Sequence, residues 1–202
     1  MRRFELVQGI AALLLQDDID TDQVLPSSYL RGLHSDYGVG LFAQWRKDPD
    51  FVLARPEYQS AKILIAGANF GCGSTREHAV WAIDGFGFRV LIARSFPEVF
   101  RANCLKNALL PIVLDEAPHA ALVNAVRAAG STGQFTVDLV NLRIAGPDGF
   151  TLAFQIAPSD RTALLEGLDE IGMSLRASDA IDAYEARERA ERPWLQELKK
   201  PS

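Results

Sequence analysis

Cysteine is scarce in this 202-residue chain, with only Cys72 and Cys104 present. Two thiols make no metal-binding spacing and no disulfide framework. They are also too few for an iron–sulfur cluster, which takes three or four ligands. If the chemistry needs such a cluster, another chain supplies it. Positive charge is short as well: 21 Lys and Arg stand against 26 Asp and Glu, a net charge of −5. That excludes a broad electrostatic footprint for nucleic acid, so an anionic ligand must be met by a local cluster of arginines. Long apolar runs are missing. The opening Met1 to Val7 looks faintly like a signal peptide, but Glu5, Gln8 and Gly9 interrupt it, and Ile10 to Leu15 is too short to span a membrane. The expected location is the cytoplasm, with neither membrane nor nucleic acid as a partner. There is no internal repeat and no low-complexity tract, and no Gly-Lys-Ser/Thr phosphate loop.

What is present is an ordinary globular composition, 48% apolar and 23% charged. The length suits one well-packed core. Residues 1–202 are expected to form a single domain, with 176–202 as a C-terminal helix and a loosely held tail. The chemistry concentrates in Gly67 to His78, Gly-Ala-Asn-Phe-Gly-Cys-Gly-Ser-Thr-Arg-Glu-His. This run follows the apolar stretch 61–66 and precedes a segment of helical period, which predicts a strand-to-helix turn. Gly67, Gly71 and Gly73 let the backbone approach a ligand. Ser74 and Glu77 fit a capping box that would start a helix at Thr75 and aim its N–H groups at the glycine loop. Arg76 adds a charged fork suited to a carboxylate.

Along the chain, Gln8-Gly9 reads as a hairpin turn between Phe4–Val7 and Ile10–Leu15. The aspartates 17, 18, 20 and 22 resemble the start of a calcium loop, but Gln23 and Tyr29 stand where glycine and glutamate are needed. Asp17 and Asp18 then read as a solvated turn capping a short helix near Pro26, while Asp20 and Asp22 remain open to a role beside the cation-bearing loop Tyr29–His34. Residues 31–60 form a long excursion with a helical turn near 41–46, and His34 reads as a surface histidine. From residue 61 the order is strand 61–66, helix 75–84 stopped by Gly85, strand 89–93, a second capping box Ser95–Glu98 opening a helix to Asn107, and strand 110–114. This is a parallel β-α-β-α-β unit. A helix over 118–129 follows, then alternating apolar positions from Phe135 to Ile156 predict antiparallel strands around a turn at 146–149. Helices are expected over 159–166 and 178–192.

Several chemistries compete for the glycine run. A dinucleotide site is disfavoured because Arg76 replaces the third glycine and the second strand ends in Ala93-Arg94 without an acidic residue, although Arg94 would suit a 2′-phosphate. Cys72 at a turn is a candidate thiol nucleophile, and Ser74 with His78, four apart, a candidate serine–histidine pair. Against these stand plainer roles: a small buried cysteine, an N-cap serine and a helix-surface histidine.

Taken whole, Gly71-Cys-Gly-Ser-Thr-Arg-Glu-His78 resembles the signature of the aconitase swivel-domain family. Separated runs in the same order extend the likeness to the small subunits of the 3-isopropylmalate dehydratases. These are Asp20-Thr21-Asp22 with Pro26, Leu41-Phe42-x-x-Trp45-Arg46, Asp50–Leu53, Ser95-Phe96, Leu109-Leu110-Pro111 and Gly167–Gly172. The resemblance implies an α/β fold of β/β/α type, closing over a large subunit that carries a [4Fe–4S] cluster, with no cofactor on this chain. It implies isomerisation of 2-isopropylmalate and 3-isopropylmalate by dehydration and rehydration, a step of leucine biosynthesis. By position it makes Ser74 the base that removes a proton next to a carboxylate. It gives Thr75 and Arg76 to substrate binding, and also Arg31 and Asp22. Thr75 departs from the serine usual there. Tyr29-Leu30-Arg31 is similar to the homoaconitase branch, which keeps a homoaconitase- or methylmalate-dehydratase-type substrate as an alternative, alongside a non-catalytic carboxylate-binding module.

Overall fold

The computed structural model describes residues 1–30 and 37–194. A seven-stranded sheet with order β4-β3-β2-β1-β5-β6-β7 organises residues 1–167. The strands are β1 (Leu6–Leu14), β2 (Ile63–Ala66), β3 (Val90–Ala93), β4 (Leu110–Val113), β5 (Gln134–Asp138), β6 (Arg143–Ala145) and β7 (Thr151–Ala153). β1 to β4 are parallel, and β1-β5-β6-β7 are antiparallel. The parallel half explains the continuous apolar runs: every residue of β2 and β3 is buried. Such strands are covered on both faces, so they show no alternation. One face packs Leu64, Leu91 and Ala93 against Val80, Ile83 and Phe100. The other packs Ile63, Ile65 and Ile92 against Leu122, Val126 and Leu164.

The β-α-β-α-β unit stands as expected, with α2 (His78–Phe86) and α3 (Glu98–Lys106) between the strands. α4 (Glu116–Ala129) and α5 (Pro158–Glu166) also form where the periodicity predicts them. Three boundaries differ. The hairpin at Gln8-Gly9 does not exist, because β1 runs straight through it. Residues Leu6 to Ile10 pair antiparallel with β5, and Ala11 to Leu14 pair parallel with β2. Glycine stands at position 9 for space, since a Cβ there would lie 2.6 Å from Lys62 Cγ. Helix α2 passes through Gly85 and ends on Gly87, whose φ of +114° supplies the left-handed cap. The pattern Ser95–Glu98 makes no capping box: α3 is preceded by Pro97, and Ser95 Oγ instead accepts the N–H of Asn69 at 2.8 Å.

In the excursion, 3₁₀ turns occupy Ser27–Leu30 and Trp45–Lys47, near the positions expected for short helices. Residues 31–36, with Arg31 and His34, lie outside the described residues, as do those from 195 on. Residues from Leu168 onward form a second unit. Its helices are α6 (Glu170–Leu175), begun by Asp169 accepting the Gly172 N–H at 2.8 Å, and α7 (Ser178–Glu191), which buries no residue. Among the described residues, no helix is long and apolar enough to cross a membrane.

Candidate active site

Beyond its last sheet residue, the chain leaving β1 continues beside the glycine loop that leaves β2. Asp18 N–H donates to Ala68 O at 2.9 Å, Gly71 N–H to Ile19 O at 2.7 Å and Thr21 N–H to Cys72 O at 2.9 Å. Asp20 and Cys72 form an isolated parallel bridge. These bonds fasten two loops that are distant in sequence into one rigid platform. Gly71 is held at φ +82°, and a Cβ there would sit 2.4 Å from the Phe100 ring. Gly71→Ala should therefore destabilise the fold by about 2–4 kcal/mol, combining left-handed strain with overpacking. Urea unfolding of the two proteins measures this, and a difference below about 0.5 kcal/mol would show that the ring yields freely.

Asp17 and Asp18 are exposed, as a solvated turn requires, but they do not cap the short helix and both carry side-chain partners. Arg94 grips both Asp17 oxygens at 2.7 and 2.6 Å, and Ala68 N–H donates to the same carboxylate at 2.7 Å. Asn69 Nδ2 donates to Asp18 at 2.8 Å. Arg94 is thus committed to the loop, which removes it as a holder of a 2′-phosphate. The cap of the short helix α1 (Thr21–Val24) is Asp20, whose side chain accepts the N–H groups of Asp22 and Gln23.

The hydrogen bond from Arg94, then that from Ala68, lowers the Asp17 pKa from its ordinary 3.8. A lowered folded pKa gives stability that is present above 3.8 and lost as pH falls from there through the folded value. The stability gap between the native chain and Asp17→Asn should therefore be widest near neutrality and narrow below pH 3.8. Thermal melts from about pH 6 down to about pH 3 test it, and a gap that is constant with pH contradicts it.

The helix does not begin at Thr75. α2 starts at His78, with Glu77 as an N-cap that makes no side-chain capping bond. Glu77 instead accepts from Asn107 Nδ2 at 2.7 Å, and Asn107 Oδ1 accepts from Trp81 Nε1 at 3.1 Å. The donors around Ser74 are consequently not the free N–H groups of a helix end. Ser74 Oγ lies 2.6 Å from Thr21 Oγ1, 3.1 Å from Arg76 Nε and 3.4 Å from Arg76 N. The other end of Arg76 is anchored by Asp22 Oδ1 at 2.8 Å. Both side chains stay open to solvent, at 39% and 59% exposure, and Ser74 is partly accessible beside exposed Gly73 and Thr75. Two of the five guanidinium N–H donors are engaged by these described residues, leaving donors on an accessible side for a carboxylate.

The structure therefore brings Ser74, Arg76 and Asp22 together and places Thr75 on the adjacent exposed rim. The Thr75 carbonyl accepts from Asn103 Nδ2 at 3.3 Å. Arg31 lies outside the described residues. Thr21 is the residue that sequence reasoning missed as a site member, although it sits inside the Asp20-Thr21-Asp22 run.

The rival chemistries find little support. His78 does not pair with Ser74, nor is it a free surface ring: it packs edge-on against Tyr37 and Trp81, with centroids 5.5 and 4.7 Å away, and its Nδ1 is buried without a partner among the described residues. Burial, then the carboxylates of Asp20 and Asp18, pushes the Cys72 thiol up, which disfavours a thiolate nucleophile. Burial pushes Cys104 up as well. Neither sulfur is presented as an iron ligand, and this chain's cysteines do not fit a cluster. Among the described residues, no three His, Cys, Asp or Glu gather to hold a metal ion.

Known proteins resemble this chain over nearly its full length. A family model of the aconitase C-terminal domain matches residues 34–117, and a model of the C-terminal domain of the 3-isopropylmalate dehydratase small subunit matches residues 170–197. The 3-isopropylmalate dehydratase small subunit of Rhodospirillum centenum is 47% identical over 201 residues, covering 96% of this chain and 98% of that one. Its counterpart in Methylibium petroleiphilum is 46% identical over 211 residues, covering 96% and 97%. The crystal structure of 3-isopropylmalate dehydratase from Methanocaldococcus jannaschii matches with a TM-score of 0.63 at 25% identity, over 89% of this chain and 99% of that one. With an aconitase-type α/β sheet, the signature run on its open loop and near-full-length relatives at this identity, the chain belongs to the 3-isopropylmalate dehydratase small-subunit family.

Proposed function

We propose that this chain is the small subunit of a heteromeric hydro-lyase that interconverts 2-isopropylmalate and 3-isopropylmalate through a dehydrated intermediate, in leucine biosynthesis. The observation that carries the reading is the hydroxyl of Ser74, held on an accessible loop against a guanidinium and a buried threonine. A serine oxygen is a poor base in water, and preorganised donors with a positive charge lower the free energy of its alkoxide. Ser74 then takes the proton from the carbon next to a substrate carboxylate. The C–H bond breaks, an O–H bond forms on Ser74, the electron pair left on the substrate becomes the double bond, and the C–O bond breaks to release hydroxide, for which the large subunit's cluster would supply the Lewis acid. Arg76 holds the carboxylate with the donors that Ser74 and Asp22 leave open, Asp22 fixes the guanidinium, Thr75 lines the rim, and the family resemblance gives Arg31 a share in substrate binding. A large subunit bears the [4Fe–4S] cluster, and the pair works on a small 2-hydroxy dicarboxylate in the cytoplasm, with no nucleic acid or membrane involved. Ser74, Thr75, Arg76 and Asp22 all belong to the unit of residues 1–167, built on the seven-stranded sheet.

A non-catalytic module in which Ser74 is merely a cap is disfavoured, because the N-cap of α2 is Glu77. The test is reconstitution. The purified chain alone should show no turnover, and mixing it with a cluster-bearing large subunit should give activity on isopropylmalate well above that on methylmalate or homocitrate. Turnover by the isolated chain would overturn the reading. A preference for homocitrate would move the substrate to the branch that the Tyr29-Leu30-Arg31 sequence resembles.

A further inference from the structure

Thr21 is buried, 3% exposed, and its hydroxyl touches Ser74 without having been given a part in the proton step. Its backbone is fixed on both sides: the N–H donates to Cys72 O at 2.9 Å, and the carbonyl accepts the Leu25 N–H at 3.0 Å. Being β-branched, it has few rotamers to choose from. Its Oγ1 stands 2.6 Å from Ser74 Oγ, across 53 residues of sequence.

The hydrogen-bond inventory gives this contact a direction. A serine hydroxyl has one proton to donate and two lone pairs to accept with. Arg76 Nε at 3.1 Å and Arg76 N at 3.4 Å are donors only, so they occupy the two lone pairs. Either hydroxyl can donate in the 2.6 Å contact, and with two Arg76 N–H groups aimed at Ser74 Oγ the arrangement favours Ser74 as the donor to Thr21 Oγ1. Once Ser74, which is partly accessible, has released its proton to solvent, the alkoxide has a third lone pair, and the Thr21 hydroxyl can rotate and donate its own proton without any heavy atom moving. A separation of 2.6 Å falls in the range of an O–H bond to a charged oxygen.

We infer that Thr21 is a positioning residue for the Ser74 base: its hydroxyl accepts from Ser74 at rest and donates to the alkoxide, holding the oxygen where the substrate proton arrives. This rests on the reading of Ser74 as the base. Because Thr21 is enclosed, water has little room to replace the missing donor if the hydroxyl is removed. Thr21 does not touch substrate, so binding should be spared while the proton step suffers.

The experiment uses the reconstituted pair with Thr21→Val, which keeps the shape, and Thr21→Ser, which keeps the hydroxyl. Thr21→Ala replaces the valine variant if the valine disturbs assembly. Loss of the Thr21 donor leaves less of Ser74 as the alkoxide base, and, taking the weight of one preorganised donor to an oxyanion, lowers kcat about 10²–10³-fold. KM should stay within about threefold, since binding common to ground and transition states is unchanged. The serine variant should recover kcat to within about tenfold of the native pair, and the pH at which the valine variant reaches half its maximal kcat should rise. The inference is overturned if Thr21→Val keeps native kcat and pH profile, or if Thr21→Ser is as impaired as Thr21→Val. Failure of the underlying reading looks different: the native pair would be inactive, or Ser74→Ala as active as the native pair.

Discussion

Ser74→Ala, assembled with the large subunit, should lose kcat by on the order of 10²–10⁴-fold while still forming the complex. The oxygen removed lies 2.6 Å from Thr21 Oγ1 and 3.1 Å from Arg76 Nε, so the substitution deletes the centre of the cluster. Alanine keeps the Cβ and does not disturb a helix start, because α2 begins four residues later at His78. Folding should be affected only mildly, and the pair's KM should change far less than its kcat. Melting temperature and steady-state kinetics on the same preparations separate these effects. Retention of kcat to within about threefold would end the assignment of Ser74 as base.

Arg76→Lys should be almost as damaging, although charge is conserved. Arg76 performs two tasks with one planar group: Nε donates to Ser74 Oγ at 3.1 Å, and the far end is clamped by Asp22 at 2.8 Å with further donors facing solvent. A lysine ammonium is a point charge without the fork, and one atom cannot serve both positions. Loss of a charge-assisted bond on each side predicts a fall in kcat/KM of about 10²-fold or more, with kcat lowered and KM raised together. A change confined to KM would mean that Arg76 binds the carboxylate but does nothing for Ser74. A change confined to kcat would mean the reverse.

Much of the scaffold was legible from residue pattern because its causes are local. β2 and β3 are flanked on both faces, so they read as unbroken apolar runs, and α4 keeps a clean 3.6-residue period over Leu122, Val123 and Val126. Features decided by distant partners were not legible. Gly9 looks like a turn residue, but its place in β1 depends on Lys62 crossing over it. Ser74 with Glu77, and Ser95 with Glu98, both satisfy the spacing of a capping box. In the fold, Ser74 turns to Thr21, Glu77 to Asn107 and Ser95 to Asn69, because long-range bonds outcompete the local ones. The same holds for Asp17, which pairs with Arg94 across 77 residues and so becomes a clamp on the loop.

Site membership followed this division. Ser74 and Arg76 belong to one contiguous run, and Asp22, named through the resemblance, is brought to them by its ion pair with Arg76. The contact of Thr21 with Ser74 depends on the parallel bridge between Asp20 and Cys72, which no spacing rule encodes. Recognising Asp20-Thr21-Asp22 as a conspicuous run was the available signal. It pointed to the aspartates, whereas the buried threonine between them makes the contact.

The most direct measurement is a competition titration. A fixed amount of large subunit receives mixtures of native chain and Ser74→Ala chain at constant total concentration, with isopropylmalate turnover as the readout. If this chain docks through its fold and supplies a base through Ser74, the variant takes its share of the large subunit and activity falls in proportion to its fraction, approaching zero for the pure variant. Activity that stays at the native level throughout the series would contradict that account.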